Sequence, residues 1–350
     1  MQRKDQNGKK RGKSMDNFNQ TQGQFSGNAQ PAEMAGGQKE TQTPAQMGMG
    51  IPESAQNLQQ VVSTASQKPG FGSRIGYFFL AFVPLIVSFV LQFAISLVVM
   101  LMYLVPDILS GAVNPADFEA YMEHVMQIAL DTSPMITGIF HVLGSIIFFL
   151  WYYFTLKKPR PTLKKSFGWF SGKSIAVIIL CGVTLNLLAN GTVVLESILT
   201  PSIVEAYMEM AEIAGLGVDP FVIFASIVLA PIGEELLCRG LTLRFANKAF
   251  GNFWVANVLQ AVLFGVLHMN WVQGIYAFLI GLALGYMTKR YNSIIPAMIC
   301  HCVVNFSSTT WIPIVLAPVP ANIVTGLLLT IVPTAATIWL FVWDKKKEVV

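Results

Sequence analysis

The chain has 350 residues, of which 53% are hydrophobic and only 12% are charged, and its formal net charge is +4 at pH 7. Because soluble globular domains carry about 25% charged residues, this composition excludes an ordinary water-soluble domain and predicts an all-α, polytopic membrane protein. The small positive charge lies in the tail and in loops, where it suits anionic lipid headgroups, and it gives no indication of a nucleic-acid partner.

The first 70 residues differ from the rest of the chain. They are rich in Gln, Gly, Asn and Ser and carry a basic cluster at residues 9–13. A segment with so few apolar residues cannot bury a core, so we expect a disordered cytoplasmic tail over residues 1–70. It has no apolar stretch or cleavage site of a secretory signal, and we expect the first hydrophobic helix to direct insertion.

Eight apolar segments follow, and each is long enough or nearly long enough to cross a bilayer as a helix, which takes about 20 residues. They lie at residues 77–104, 135–156, 175–199, 221–235, 255–268, 272–287, 294–310 and 323–343. Loops at 157–173, 239–248, 289–290 and 345–347 are basic, and basic loops stay in the cytoplasm. We therefore expect a transmembrane domain over residues 71–344 in a cell membrane, with both termini cytoplasmic. The polar tail and the absence of organelle signals favour a bacterial membrane.

The two predicted outer loops carry a short repeat, Glu-Ala-Tyr-Met-Glu, at residues 119–123 and 205–209. Each repeat follows a helix-start signal, Asn114 with Pro115 in the first loop and Thr200 with Pro201 in the second. Apolar residues recur at helical spacing, so we expect two separate amphipathic helices on the outer surface. A surface cap is favoured over a substrate-guiding role.

Charged residues interrupt the fourth apolar segment at Glu234, Glu235 and Arg239. A charge at the centre of a membrane helix costs on the order of 3 kcal/mol, so such a cluster indicates a functional site. Glu235 and Arg239 are four residues apart and share a helix face, which predicts an ion pair. Glu234 points about 100° away and is left without a partner on its own helix.

Two further helices carry polar residues at the same spacing. Phe264 and His268 share one face of the fifth segment, and His301 and Asn305 share one face of the seventh. Glu235 and His268 are nearly equidistant from Gly251, so an antiparallel hairpin brings them to one level. We expect these polar groups to converge in the cytoplasmic half of the bilayer.

A carboxylate, two imidazoles and a carboxamide suit the attack of water on a carbonyl group. Glu234 would take a proton from a water molecule that His268 orients. His301 and Asn305 would donate hydrogen bonds to the oxyanion, a contribution of roughly 3 to 4 kcal/mol for each good donor. The set Glu234, His268 and His301 could instead ligate zinc, so we leave open both a zinc site and a reaction without a cofactor.

Three sequence stretches carry a resemblance to a known family. They are APIGEELLCRG at residues 230–240, FGVLH at 264–268 and HCVVN at 301–305. In this order they resemble the motifs of the CPBP intramembrane protease family, which includes type II CAAX prenyl endopeptidases and the Abi-type bacteriocin-processing and immunity proteins. The resemblance covers residues 221–310, which we take as the catalytic core. One departure is Cys238, where the family usually has an aromatic residue.

The resemblance implies an all-helical membrane protease. Glu234 and His268 would activate water, and His301 and Asn305 would hold the oxyanion. Glu235, Arg239 and Phe264 would have positioning roles. Members of the family have been labelled metalloproteases, but the resemblance favours a mechanism without a metal.

Two alternatives from other classes use the same polar cluster. One is a peptide-binding or immunity protein without catalysis, and the other is an ion-coupled transporter. The complete set of groups favours an enzyme that cleaves a peptide or membrane-protein substrate. Whether this substrate is lipidated, a bacteriocin or a signal peptide is left open. His141 is interpreted as a hydrogen-bonded packing residue and is left out of the site.

Overall fold

The structure, a computed structural model, describes residues 70–156, 167–213 and 220–344, and every regular element in these ranges is a helix. The predicted tail, most of the first basic loop and the basic cluster at 345–347 lie outside the described residues. The helices are α1 (Phe71–Leu80), α2 (Val83–Leu109), α3 (Phe118–Thr155), α4 (Gly172–Leu199), α5 (Pro201–Ile213), α6 (Pro220–Phe250), α7 (Phe253–Leu267), α8 (Trp271–Tyr291), α9 (Ile295–Thr309), α10 (Ile312–Leu316) and α11 (Ile323–Trp343).

Six segments of the described chain are long and apolar enough to cross a membrane. They are α1 with α2, α3, α4, α6, α8 and α11, and the shorter apolar helices α7 and α9 lie between them in the sequence. Each of the eight predicted segments therefore has a helix. The all-α, polytopic membrane class predicted from composition is confirmed.

The first outer segment departs from the prediction. Asn114 accepts a hydrogen bond from the Ala116 N–H, but the backbone becomes extended at Asp117. The Asp117 side chain caps α3 instead, so the helix begins at Phe118. It then continues through Pro134 without a break, and the expected separate helix is wrong there. At about 1.5 Å per residue α3 is about 57 Å long, well beyond the bilayer core of about 30 Å. In the second segment α5 begins at Pro201 as predicted.

Tight turns bring α6, α7 and α8 together. The backbone of Gly251 is left-handed, with φ 65°, and it ends α6, after which Asn252 caps α7. The predicted hairpin around Gly251 is confirmed. At the other end of α7, Met269 has φ 50° and Asn270 caps α8. A left-handed backbone is costly for a residue other than glycine, and such conformations are typical of functional sites.

Helix α8 packs closely on α7 at Gly285. A Cβ atom built on Gly285 would lie 1.8 Å from Asn257 Oδ1, whereas one built on Gly274 would meet its nearest neighbour at 3.5 Å. We expect Gly285→Ala to lower the free energy of unfolding by about 1 to 3 kcal/mol because the buried side chains of Asn257 and Gln260 must move and give up hydrogen bonds. Thermal unfolding in detergent measures this loss. Gly274→Ala is the matched control and should unfold close to the wild-type temperature, and equal unfolding temperatures for the two variants would contradict the prediction.

Candidate active site

The glutamate pair lies on an unusual stretch of α6. Its α-helical turn Ala230–Glu235 is flanked by two π-helical segments, Ala225–Leu229 and Leu236–Thr242. A π-helical turn contains more residues than an α-helical turn, so it rotates the side chains that follow, and π-bulges are frequent at functional sites. The direction of each glutamate is therefore set by both π segments as well as by its position in the sequence.

The predicted ion pair is present. Arg239 Nη1 lies 2.5 Å from Glu235 Oε1, and both side chains are completely buried. Arg239 Nη2 also donates to the carbonyl of Gly281 at 3.2 Å, and its guanidinium lies 4.5 Å from the ring centroid of Phe264. These contacts offset the large desolvation cost that two buried charges would otherwise carry.

Glu235 has a second partner that the sequence did not reveal. The same oxygen that binds Arg239 accepts a hydrogen bond from Nδ1 of His301 at 3.0 Å. A histidine held through Nδ1–H has a fixed ring orientation and presents Nε2 on the other side. Nε2 of His301 faces Glu234, at 3.7 Å from Oε2. This distance is longer than a direct hydrogen bond.

His268 is held in a similar way. Its Nδ1 lies 2.9 Å from the carbonyl oxygen of Phe264, and because a carbonyl only accepts, Nδ1 carries the hydrogen. Nε2 of neutral His268 is then an acceptor. The rings of His268 and His301 both contact Phe264 edge to face, with centroid separations of 5.0 Å and 5.7 Å. The buried Phe264 therefore links the two histidines.

Asn305 shares a helix with His301 but is anchored elsewhere. Its Nδ2 donates to the carbonyl of Ser226, in the first π segment of α6, at 2.8 Å. Within the described part of the chain, no hydrogen bond joins Asn305 to Glu234 or His301. The amide carries a second N–H, which this contact leaves available as a donor.

A buried polar network lies behind the ion pair and was not predicted from the sequence. The carbonyl of Gly281 accepts from Arg239 and also from Gln260 Nε2, the latter at 2.9 Å. Gln260 donates in addition to Asn257 Oδ1 at 2.8 Å, and Asn257 donates to the carbonyl of Leu282 at 3.0 Å. The sequence does contain an indication of this network, since Asn257 and Gln260 are polar residues three apart in an apolar helix. They tie α7 to α8 beneath the ion pair.

Glu234 borders a cavity of about 240 Å³. Its walls come from α2, α3, α6 and the turn after α7, namely Ser88, Phe89, Gln92, Phe140, His141, Gly144, Ser145, Phe148, Gly233, Glu234, Leu237, Leu267 and Met269. The sequence predicts a hydrogen-bonded packing residue at His141. The structure instead places it on the wall of this cavity, and no hydrogen bond to it occurs among the described residues.

The zinc alternative can be tested against the arrangement of the side chains. Zinc is held at about 2.0 to 2.2 Å by nitrogen and oxygen ligands, so its ligands must converge on one point. In the part of the chain that the structure describes, no three His, Cys, Asp or Glu side chains are placed to hold a metal ion. Glu234, His268 and His301 therefore do not fit a zinc site in this geometry.

Comparison with known proteins agrees with the motifs. Residues 217–307 match the family described as "Rce1-like: Type II CAAX prenyl endopeptidase Rce1-like". The matched range contains the site residues Glu234, Glu235, His268, His301 and Asn305. No curated protein and no solved structure matched the chain. Residues 217–307 are therefore a type II CAAX prenyl endopeptidase Rce1-like domain, in agreement with the resemblance to the CPBP intramembrane protease family.

Proposed function

We propose that this protein is an intramembrane endopeptidase that hydrolyses a peptide bond with water activated by Glu234. One observation carries the proposal: Glu234 lines the cavity with its Oε2 at 3.7 Å from Nε2 of His301, and its side chain is 19% exposed whereas that of Glu235 is fully buried. The Rce1-like domain supports a peptidase in general and therefore a peptide substrate. The roles of the individual residues are our inference.

The nucleophile is a water molecule bound to the Glu234 carboxylate. Its oxygen attacks the carbonyl carbon of the scissile bond while its proton passes to Glu234. His268 presents Nε2 as an acceptor, and its neighbours Leu267 and Met269 line the cavity that Glu234 borders, so we assign it the orientation of this water molecule. Glu234 then returns the proton to the leaving nitrogen as the carbon–nitrogen bond breaks. No covalent enzyme intermediate forms. The proton that Glu234 takes from water is the one that it delivers to the leaving nitrogen.

The oxyanion of the tetrahedral intermediate needs donors. The second N–H of Asn305 is one of them. The ring of His301, which Glu235 fixes through Nδ1 and which presents Nε2 toward Glu234, is the other. Each good donor in such a site contributes roughly 3 to 4 kcal/mol to stabilisation of the transition state. Arg239 holds Glu235 in place.

The proposal is tested with the purified full-length protein in lipid nanodiscs. A peptide library that contains prenylated and unprenylated members is incubated in ¹⁸O-labelled water, and the products are read by mass spectrometry. We expect cleavage with one ¹⁸O atom in the new C-terminal carboxylate. Peptides that bind without being cut would instead support the non-catalytic alternative, and proton or ion transport in vesicles would support the transporter.

The same cleavage assay tests whether the reaction needs a metal ion. Because the three candidate ligands do not converge, we expect cleavage to continue after treatment with a chelator and extensive dialysis. The measurement is the initial rate before and after treatment, with metal content followed by mass spectrometry. Loss of activity with the chelator and its return with added zinc would contradict this expectation.

A further inference from the structure

The cavity beside Glu234 has the size of one large side chain. An apolar cavity of about 150 Å³ binds benzene, whereas pockets for whole drug-sized ligands begin at about 300 Å³. At about 240 Å³ this cavity lies between the two. It exceeds the space that a benzene ring needs and is below the range of pockets that enclose a whole drug-sized ligand.

The walls of the cavity suit an aromatic ring. Three of the lining residues are aromatic, Phe89, Phe140 and Phe148, and Leu237 and Leu267 add to the apolar lining. Aromatic rings pair favourably in edge-to-face or offset geometry, in addition to the gain from burying apolar area.

Polar groups are placed on the α2 and α3 sides of the same cavity. Ser88 and Gln92 are four residues apart on α2, and His141 and Ser145 are four apart on α3, so each pair shares a helix face. The hydroxyl of Ser145 is buried without a hydrogen-bond partner. His141 also makes no hydrogen bond within the described residues. Burial of the Ser145 hydroxyl without a partner is unfavourable, and a polar ligand atom would offset that cost.

We propose that this cavity is a specificity subsite that receives one tyrosine side chain of the substrate. The phenol ring lies among the three phenylalanines, and its hydroxyl bonds to His141 and Ser145. Ser145 also packs against Gly233, the neighbour of Glu234, since its hydroxyl lies 3.1 Å from the position of a Cβ on Gly233. The bound side chain thereby sets which peptide bond reaches the carboxylate. This inference rests on the proposed function.

The first test is kinetic and uses any peptide that the wild-type protein cleaves. Each residue within four positions of the cut is replaced in turn by Tyr, Phe, Leu or Ala. At one position we expect kcat/KM for Tyr to exceed that for Phe by about tenfold, the equivalent of one buried hydrogen bond. His141→Leu should bring this ratio close to one, while His141→Gln, which keeps a hydrogen-bonding group, should retain a preference.

The matched control is His124→Leu, since His124 lies on the same helix but outside the cavity, paired with Asp107 at 2.8 Å. It should keep the wild-type ratio of Tyr to Phe. A ratio that is the same in the wild type, His141→Leu and His124→Leu would overturn the inference. So would a scan in which no position prefers an aromatic residue.

The second test does not depend on cleavage. A peptide with a diazirine-bearing tyrosine analogue is bound to the Glu234→Gln variant and irradiated. We expect crosslinks to the cavity residues Phe89, Phe140 and Leu237, reduced several-fold in His141→Leu. Crosslinks of the tyrosine probe that are confined to other surfaces would overturn the inference. It would also be overturned if a diazirine-bearing prenyl chain crosslinks to these cavity residues instead of the tyrosine probe. Crosslinking in the cavity of Glu234→Gln, combined with no cleavage of any peptide by the wild-type protein, would keep the subsite and reject the endopeptidase.

Discussion

Glu234→Gln should reduce kcat for peptide cleavage by about 10²-fold to 10⁴-fold, the range that a positioned general base contributes. Glutamine has nearly the same shape as glutamate but cannot take the proton from water. The Glu234 side chain is mainly buried beside the cavity, and its contact with His301 is longer than a direct hydrogen bond, so the fold should tolerate the change. Initial rates with a cleavable peptide measure the effect.

The control for this loss is Glu123→Gln, a carboxylate at an exposed position of α3 far from the cluster in the sequence. It should keep wild-type kcat. Thermal unfolding and peptide affinity of Glu234→Gln should also remain close to the wild-type values, which separates lost chemistry from lost structure. Cleavage at the wild-type rate by Glu234→Gln would remove Glu234 as the base.

Breaking the buried ion pair should have the largest effect on stability. Arg239→Leu leaves the Glu235 charge buried with one of its two partners gone, and Glu235→Leu leaves Arg239 without its carboxylate. Removing one member of a buried pair costs about 3 to 5 kcal/mol, because the remaining charge is uncompensated. We expect both single variants to unfold at much lower denaturant concentration in detergent than the wild type.

The double variant Glu235→Leu/Arg239→Leu separates stability from activity. Replacing both members by apolar residues is often neutral, so we expect much of the lost stability to return. Activity should stay low, because His301 no longer has the carboxylate that fixes its Nδ1. A double variant as unstable as the singles would contradict the pairing argument, and a fully active one would contradict the positioning of His301. Arg74→Met is the control for the loss of an arginine away from the site. Arg74 donates to the backbone carbonyls of Ala249 and Phe250 at the end of α6.

Much of the fold could be predicted because it depends on features that are local in the sequence. The length of an apolar run decides whether a helix can cross a bilayer, and the residues at its ends decide where it stops. Gly251 illustrates this, since its left-handed backbone ends α6 where the sequence predicts the turn. The prediction of a separate outer helix before Pro134 was wrong, because a proline within a membrane helix does not have to end that helix.

Composition, residue spacing along one helix and motif order are enough to predict the membrane class, the ion pair of Glu235 with Arg239, and the family that residues 217–307 match. They do not predict that Glu235 also holds His301, that Asn305 is anchored at Ser226, or that His141 lines the cavity beside Glu234. These contacts join helices distant in the sequence. They depend on how the π segments rotate α6 and on how α2 and α3 pack against it, and residue spacing within a single helix specifies neither.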